Sequence, residues 1–162
     1  MFEKFGNFDS AEELNMAAEG LKQEGDRDSL ISLALENGID SEDAADYFDG
    51  CMDRLASPLM AAVGKLEVEK RDFTVQEIVE DWYQYIISVC SESEDMARAV
   101  RKKDKSLKEC IAEILKWSFK NCYAVDKEIL KAAGVNGTVK MGIPGMGRAK
   151  EIIMQYYMGK AE

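Results

Sequence analysis

The stretch that most constrains the fold is Lys105 to Gly134, KSLKECIAEILKWSFKNCYAVDKEILKAAG. On a wheel turning about 100° per residue, its apolar side chains cover a wide arc. Leu107, Cys110, Ile111, Ile114, Leu115, Trp117, Phe119 and Cys122 make that arc, and Glu109, Glu113, Lys116 and Lys120 form a narrow polar stripe. A helix apolar over so wide an arc needs cover on several sides, so the pattern predicts a core helix. Ser106 is placed to cap it by accepting from a free N–H of the first turn. A short turn and a second, shorter helix from Asp126 to Gly134 follow.

The rest of the chain punctuates itself in the same way. Ser10 and Glu13 have capping-box spacing before Leu14, Ala17, Ala18 and Leu21, and Gly25 is a natural stop. Asp28 or Ser29 starts a second helix that ends at Gly38. Ser41 opens a third, SEDAADYF, which ends by Gly50. Ser57-Pro58 is a helix start in which Pro at the first position forfeits no hydrogen bond. Gly64 inside that helix permits close approach of another helix. Thr74 and Glu77 form a second expected capping box, leading into VQEIVEDWYQYIISVC as the other core helix. Ser91 or Ser93 caps EDMARAVRKK, and a final helix carries Ala149, Ile152, Ile153, Tyr156 and Tyr157 on one face. Thr138 to Met141 is too short to found a sheet.

Only two Pro occur, and Ala, Glu, Lys, Leu and Met are plentiful, so helix is favoured over strand. The expected architecture is an all-α, multi-helix bundle of about eight or nine helices. Residues 1–53 are expected to form a small acidic N-terminal helical lobe, and residues 54–162 a helical core domain. No apolar run reaches the roughly 18 residues of a membrane span. The opening MFEKFGNFDSAEEL lacks the basic and apolar regions of a leader, so the chain is expected in the cytoplasm.

Charge is unevenly divided. Residues 1–60 hold 15 acidic and 4 basic side chains, and residues 61–162 hold 16 and 17. An acidic N-terminal part repels phosphates, so no direct DNA binding is expected there. A partner with a basic surface fits it, and so does simple solubility. The acid is densest around the third helix: Asp40, Glu42, Asp43, Asp46, Asp49 and Asp53. Asp43, Asp46 and Asp53 have spacings that would share a helical face, with Asp49 nearby. Three readings stay open for them: a solvated face, a carboxylate row that imitates a phosphate backbone, or a metal site. The calcium-loop pattern is absent, which counts against the last.

One basic cluster answers this acid: Arg98, Arg101, Lys102, Lys103, Lys105 and Lys108. It has no interleaved aromatics, so a solvated face or an intramolecular partner for the acidic lobe is favoured over nucleic acid. GIPGMGRA has the glycine spacing of a phosphate loop, but Arg148 and Ala149 stand where Lys and a hydroxyl belong. Four Cys without C-x-x-C spacing read as reduced, mostly buried thiols rather than a zinc site. With no His and no paired acids in an evident cleft, no enzyme, no catalytic residue and no cofactor is expected.

Taken over nearly its full length, the chain resembles the small anti-CRISPR proteins that inhibit the type II RNA-guided effector nuclease. That family is similar in turn to PcfK-like proteins of conjugative elements. The segments that carry the resemblance are FDSAEELNMAAEGLKQEGD, LALENGIDSEDAADYFDG, LASPLMAAVGKLEVE, KSLKECIAEILKWSFKN, VDKEILKAAGV and GIPGMGRAKEIIMQYYMGK. The resemblance implies a non-enzymatic protein of a phage or other mobile element whose partner is a type II CRISPR effector nuclease. The alternative it carries is an accessory protein-interaction module of a conjugative element. No family site residues carry over position by position. The acidic row is the expected partner-binding surface on its own chemistry.

Overall fold

In a computed structural model of the chain, residues 4–159 are described. They form nine α-helices and one pair of two-residue strands, an all-α multi-helix architecture. The helices are α1 (Ala11–Glu24), α2 (Arg27–Glu36), α3 (Ser41–Phe48), α4 (Pro58–Lys70), α5 (Ile78–Glu92), α6 (Glu94–Arg101), α7 (Leu107–Lys120), α8 (Lys127–Ala132) and α9 (Met146–Met158). Strands β1 (Tyr123–Ala124) and β2 (Lys140–Met141) pair antiparallel, so the short stretch before Met141 does enter a ribbon. Among the described residues no helix is long and apolar enough to cross a membrane. The first three residues of the stretch read for a leader lie outside the described residues.

Two compact units result, Met1–Lys108 and Glu109–Glu162. The boundary expected after residue 53 therefore falls inside the first of them. Its core runs without a break from Leu14 and Ala18 through Leu30, Leu33, Ala44 and Tyr47 to Leu55, Ala56 and Ala61. Asn15 closes that junction from both sides: its amide donates to the Ala56 carbonyl at 2.8 Å and its carbonyl accepts from Ala56 N–H at 2.9 Å.

Most helix starts follow the local chemistry. The Ser10, Ser57 and Ser93 hydroxyls accept from Glu13, Met60 and Met96 N–H. The second helix begins at Arg27, one or two residues earlier than the expected Asp28 or Ser29, with Asp26 as its cap accepting from Ser29 N–H. Gly25 closes α1 with φ 72°. The Thr74–Glu77 capping box does not form. Glu77 has φ 51°, a turn that no helical first turn tolerates, so α5 starts at Ile78 without a side-chain cap. Tertiary contacts hold its start instead: Lys70 pairs with Glu80 at 3.0 Å and lies 4.2 Å from the Tyr83 ring centre.

The α2–α3 turn crosses α4 at closest range. A Cβ added to Gly64 would stand 2.3 Å from the Asn37 carbonyl oxygen, and one on Gly38 would stand 2.2 Å from the Gly64 oxygen. A close approach at Gly64 is thus real, but its partner is the backbone of a left-handed turn rather than a helix.

In the second unit α7 departs from expectation. Its buried seam is narrow: Leu107, Cys110, Ile114 and Ser118. Leu115 is 51% exposed and Phe119 76% exposed, and Cys122 is exposed as well. The wide apolar arc is therefore covered on one side only. α9 runs antiparallel to this segment, with Tyr156 donating to Glu109 at 2.9 Å near one end and Arg148 over the Trp117 ring near the other.

Candidate functional site

The acidic row is built on α3. Ala44 and Tyr47, three residues apart, are its buried positions, so they turn inward and leave the carboxylates outward. Ala44 joins the core of the first unit. The Tyr47 carbonyl accepts from Lys22 Nζ at 2.5 Å, and the same ammonium lies 4.5 Å from the Tyr47 ring centre. Partial burial raises the Tyr47 phenol, and the nearby Glu19 carboxylate adds to the effect.

The six expected carboxylates do not form one uniform face. Asp40 is the N-cap of α3, accepting from Glu42 N–H at 2.9 Å. Asp49 is the residue just after the helix and is held by a bidentate pair with Arg27 at 3.0 and 3.1 Å. Arg27 in turn lies 5.4 Å from the Phe48 ring centre. The helical spacing expected for Asp53 does not hold, because α3 ends at Phe48 and Asp53 sits in the bend beyond it. Glu42, Asp43 and Asp46 remain, and among the described residues these three carboxylates make no ion pair and no side-chain hydrogen bond. Glu42 and Asp46 are exposed and Asp43 is half-buried.

Asp53 has a different role. It lines an open cavity of about 520 Å³ with Met16, Glu19, Lys22, Tyr47 and Met52. Two thioethers and a phenol ring make apolar walls, and the carboxylates Glu19 and Asp53 are matched there by the cations Lys22 and Arg54. Glu19 and Met16 were not singled out from the sequence. Their signal was there, since Met16, Glu19 and Gln23 recur at helical spacing and Met16 is 66% exposed.

Arg98, Arg101 and Lys103 of the basic cluster are engaged inside the chain. Arg98 pairs with Glu12 at 2.6 Å and with Glu94 at 2.8 Å, and Lys103 lies 3.5 Å from Glu13. Arg101 is fully buried and donates to the Asn37 side-chain carbonyl at 2.7 Å. Its acidic partners therefore lie on α1 and α6 rather than on α3. The glycine loop before α9 is structural: Gly142 passes against the Ser118 carbonyl, Gly145 is the N-cap, and Arg148 pairs with Glu151. Among the described residues no three His, Cys, Asp or Glu side chains are grouped to hold a metal ion.

Comparison with family models, curated proteins and solved structures gives no match.

Proposed function

We propose that this chain is a non-enzymatic inhibitor of a type II RNA-guided nuclease, acting by direct stoichiometric binding through the acidic face of α3. The identity of the partner rests on the resemblance in the sequence. The observation that supports the contact is the trio Glu42, Asp43 and Asp46, carboxylates with no internal partner on a helix whose other face is packed. Such nucleases hold guide and target in positively charged channels, where a carboxylate row stands in for phosphates. Complementary charge speeds encounter and makes it salt-sensitive.

The test is target cleavage by a guide-loaded type II nuclease, titrated with this protein at two salt concentrations. Inhibition is expected to saturate near equimolar protein and to weaken with salt. The triple variant Glu42→Lys, Asp43→Lys and Asp46→Lys should need at least about tenfold more protein. These side chains make no ion pair and no side-chain hydrogen bond among the described residues, so the fold should survive, and circular dichroism checks it. Unchanged inhibition by the variant would remove the α3 contact. No inhibition across several nuclease orthologues would overturn the nuclease reading altogether.

A further inference from the structure

Residues 73–78 carry the sequence signals of a helix start, yet the helix does not start there. Thr74 and Glu77 have capping-box spacing. Phe73 and Ile78 stand at the two positions of a hydrophobic staple, just before the cap and at the fourth helical residue. A helix begun at Thr74 would run through Val75, Gln76 and Glu77 into α5 without a break. Instead α5 starts at Ile78 with no side-chain cap.

Glu77 is what interrupts it. Its φ of 51° and ψ of −128° are close to those of the first central residue of a II′ turn, a position that Gly fills because a Cβ is strained there. Val79 N–H donates to the Gln76 carbonyl at 3.1 Å across that turn. Among the described residues Glu77 is the one non-glycine residue with positive φ. Hydrogen bonding does not offset this strain. Among the described residues none of the N–H groups of 74–77 donates within the chain, and the Thr74 hydroxyl and Glu77 carboxylate have no hydrogen bond or ion pair. Thr74, Gln76 and Glu77 are exposed, and Phe73 and Val75 are half-buried, so partial cover of two apolar side chains is what favours the turn.

The alternative arrangement disturbs little else. The contacts that seat α5 on α4, Lys70 with Glu80 at 3.0 Å and Glu67 with Tyr83, lie beyond Ile78. Rotating Val75, Gln76 and Glu77 into the α region adds about 4.5 Å of helix. It leaves Arg71 to Thr74 as the connection, a length ordinary between packed helices. The Thr74 hydroxyl would then accept from Glu77 N–H, and the Glu77 carboxylate from Thr74 N–H. We propose that the α4–α5 connection is a two-state element, exchanging between the II′ turn and a further turn of α5 capped by Thr74. The II′ turn is the major state. A contact that reads only one of the two shifts the balance toward it. The inference is independent of the α3 contact.

The test is NMR relaxation dispersion on the full, isotope-labelled chain. The amides of residues 74–79 are expected to show exchange on the μs–ms timescale. The minor state should hold about 1–10% of the population and have helical shifts at Val75, Gln76 and Glu77. Thr74→Asp, a stronger cap, should raise that population, and Thr74→Ala should lower it about fivefold, the weight of one cap. Glu77→Gly suits the II′ turn and weakens the helix, so it should remove the exchange. Flat dispersion profiles in the parent chain overturn the proposal, whether its shifts are those of a fixed turn or of a fixed helix. So does a minor state without helical shifts at these three residues, or a population that Thr74→Asp and Thr74→Ala move in the same direction.

Discussion

At Gly64 one missing methyl group decides whether two elements can meet. In an exposed helix interior, replacing Gly by Ala gains about 1 kcal/mol of helix propensity. Here the added Cβ would stand 2.3 Å from the Asn37 carbonyl, a contact with backbone that cannot rotate away. Gly64→Ala is therefore expected to destabilise by about 1–3 kcal/mol or more, the cost of overpacking. Gly20 is the matched control: it lies inside α1 with nothing within 4 Å of its would-be Cβ. Gly20→Ala should stabilise by about 0.5–1 kcal/mol. Urea unfolding of both variants checks the pair, and the same sign for both would sink the argument. The sequence made Gly64 legible as a point of close approach and Gly38 as a helix stop. That the two meet was not legible, because their register depends on how the α2–α3 turn lands on α4.

Among the elements, α4 hides the largest departure from a surface reading. Lys65 and Glu69 are four residues apart and both buried, where charges at that spacing ordinarily mark a solvated stripe. The connection after α6 explains the lysine. Its Nζ donates to the carbonyls of Val100, Lys102 and Lys105 at 2.9, 2.5 and 2.6 Å, groups that would otherwise be buried without donors. Glu69 answers by accepting from Leu107 N–H at 2.8 Å, so one ion pair in α4 holds both the end of α6 and the start of α7. Burial lowers the Lys65 ammonium to about 8, with Arg101 acting in the same direction and Glu69, Asp104 and Asp9 opposing. Burial raises the Glu69 carboxyl, opposed by the Leu107 N–H and Lys65. Removing the lysine leaves three carbonyls without that donor and a buried carboxylate without its counter-charge, so Lys65→Met should cost about 3–5 kcal/mol. The pH signature has a definite sign. Between about 8 and the ordinary lysine value of 10.5 the unfolded chain holds the proton and the folded chain does not. This group's contribution therefore rises with pH across that window and is lost as pH falls through about 8. Urea midpoints from pH 7 to 10.5 should show the rise in the parent relative to Lys65→Met. Parallel curves would refute the assignment. The expectation for α7 failed for a related reason. Its arc of apolar residues reads as core from periodicity alone, and only the tertiary structure shows that a seam through Leu107, Cys110, Ile114 and Ser118 takes the burial. An apolar arc records that a face wants cover; it does not record whether the cover is in the same chain.

Across the whole molecule the division of labour follows the division of charge and of core. The first unit holds most of the carboxylates and most of the buried side chains. The second contributes Cys110, Ile114, Leu130, Ala149, Ile153 and Tyr157 and leaves its ribbon face open. An all-helical architecture was legible because caps, glycine stops and periodicity agree along nearly every segment. The two-unit division was not, since no linker composition marks residue 108. The four thiols report on both units, because each unit has one exposed and one buried cysteine: Cys51 and Cys90 in the first, Cys122 and Cys110 in the second. Burial pushes the Cys90 and Cys110 thiols up to about 12; at Cys110 the charge of Glu113 adds to this and the Tyr157 hydroxyl opposes it. Neither supplies thiolate at neutral pH. Thiol labelling of the native protein should therefore modify Cys51 and Cys122 promptly and leave the other two protected. A smaller core opens at lower cost. With rising urea, mass-resolved labelling should reach Cys110 before Cys90. Release of Cys90 first would show that the second unit owes its stability to more than its own buried side chains.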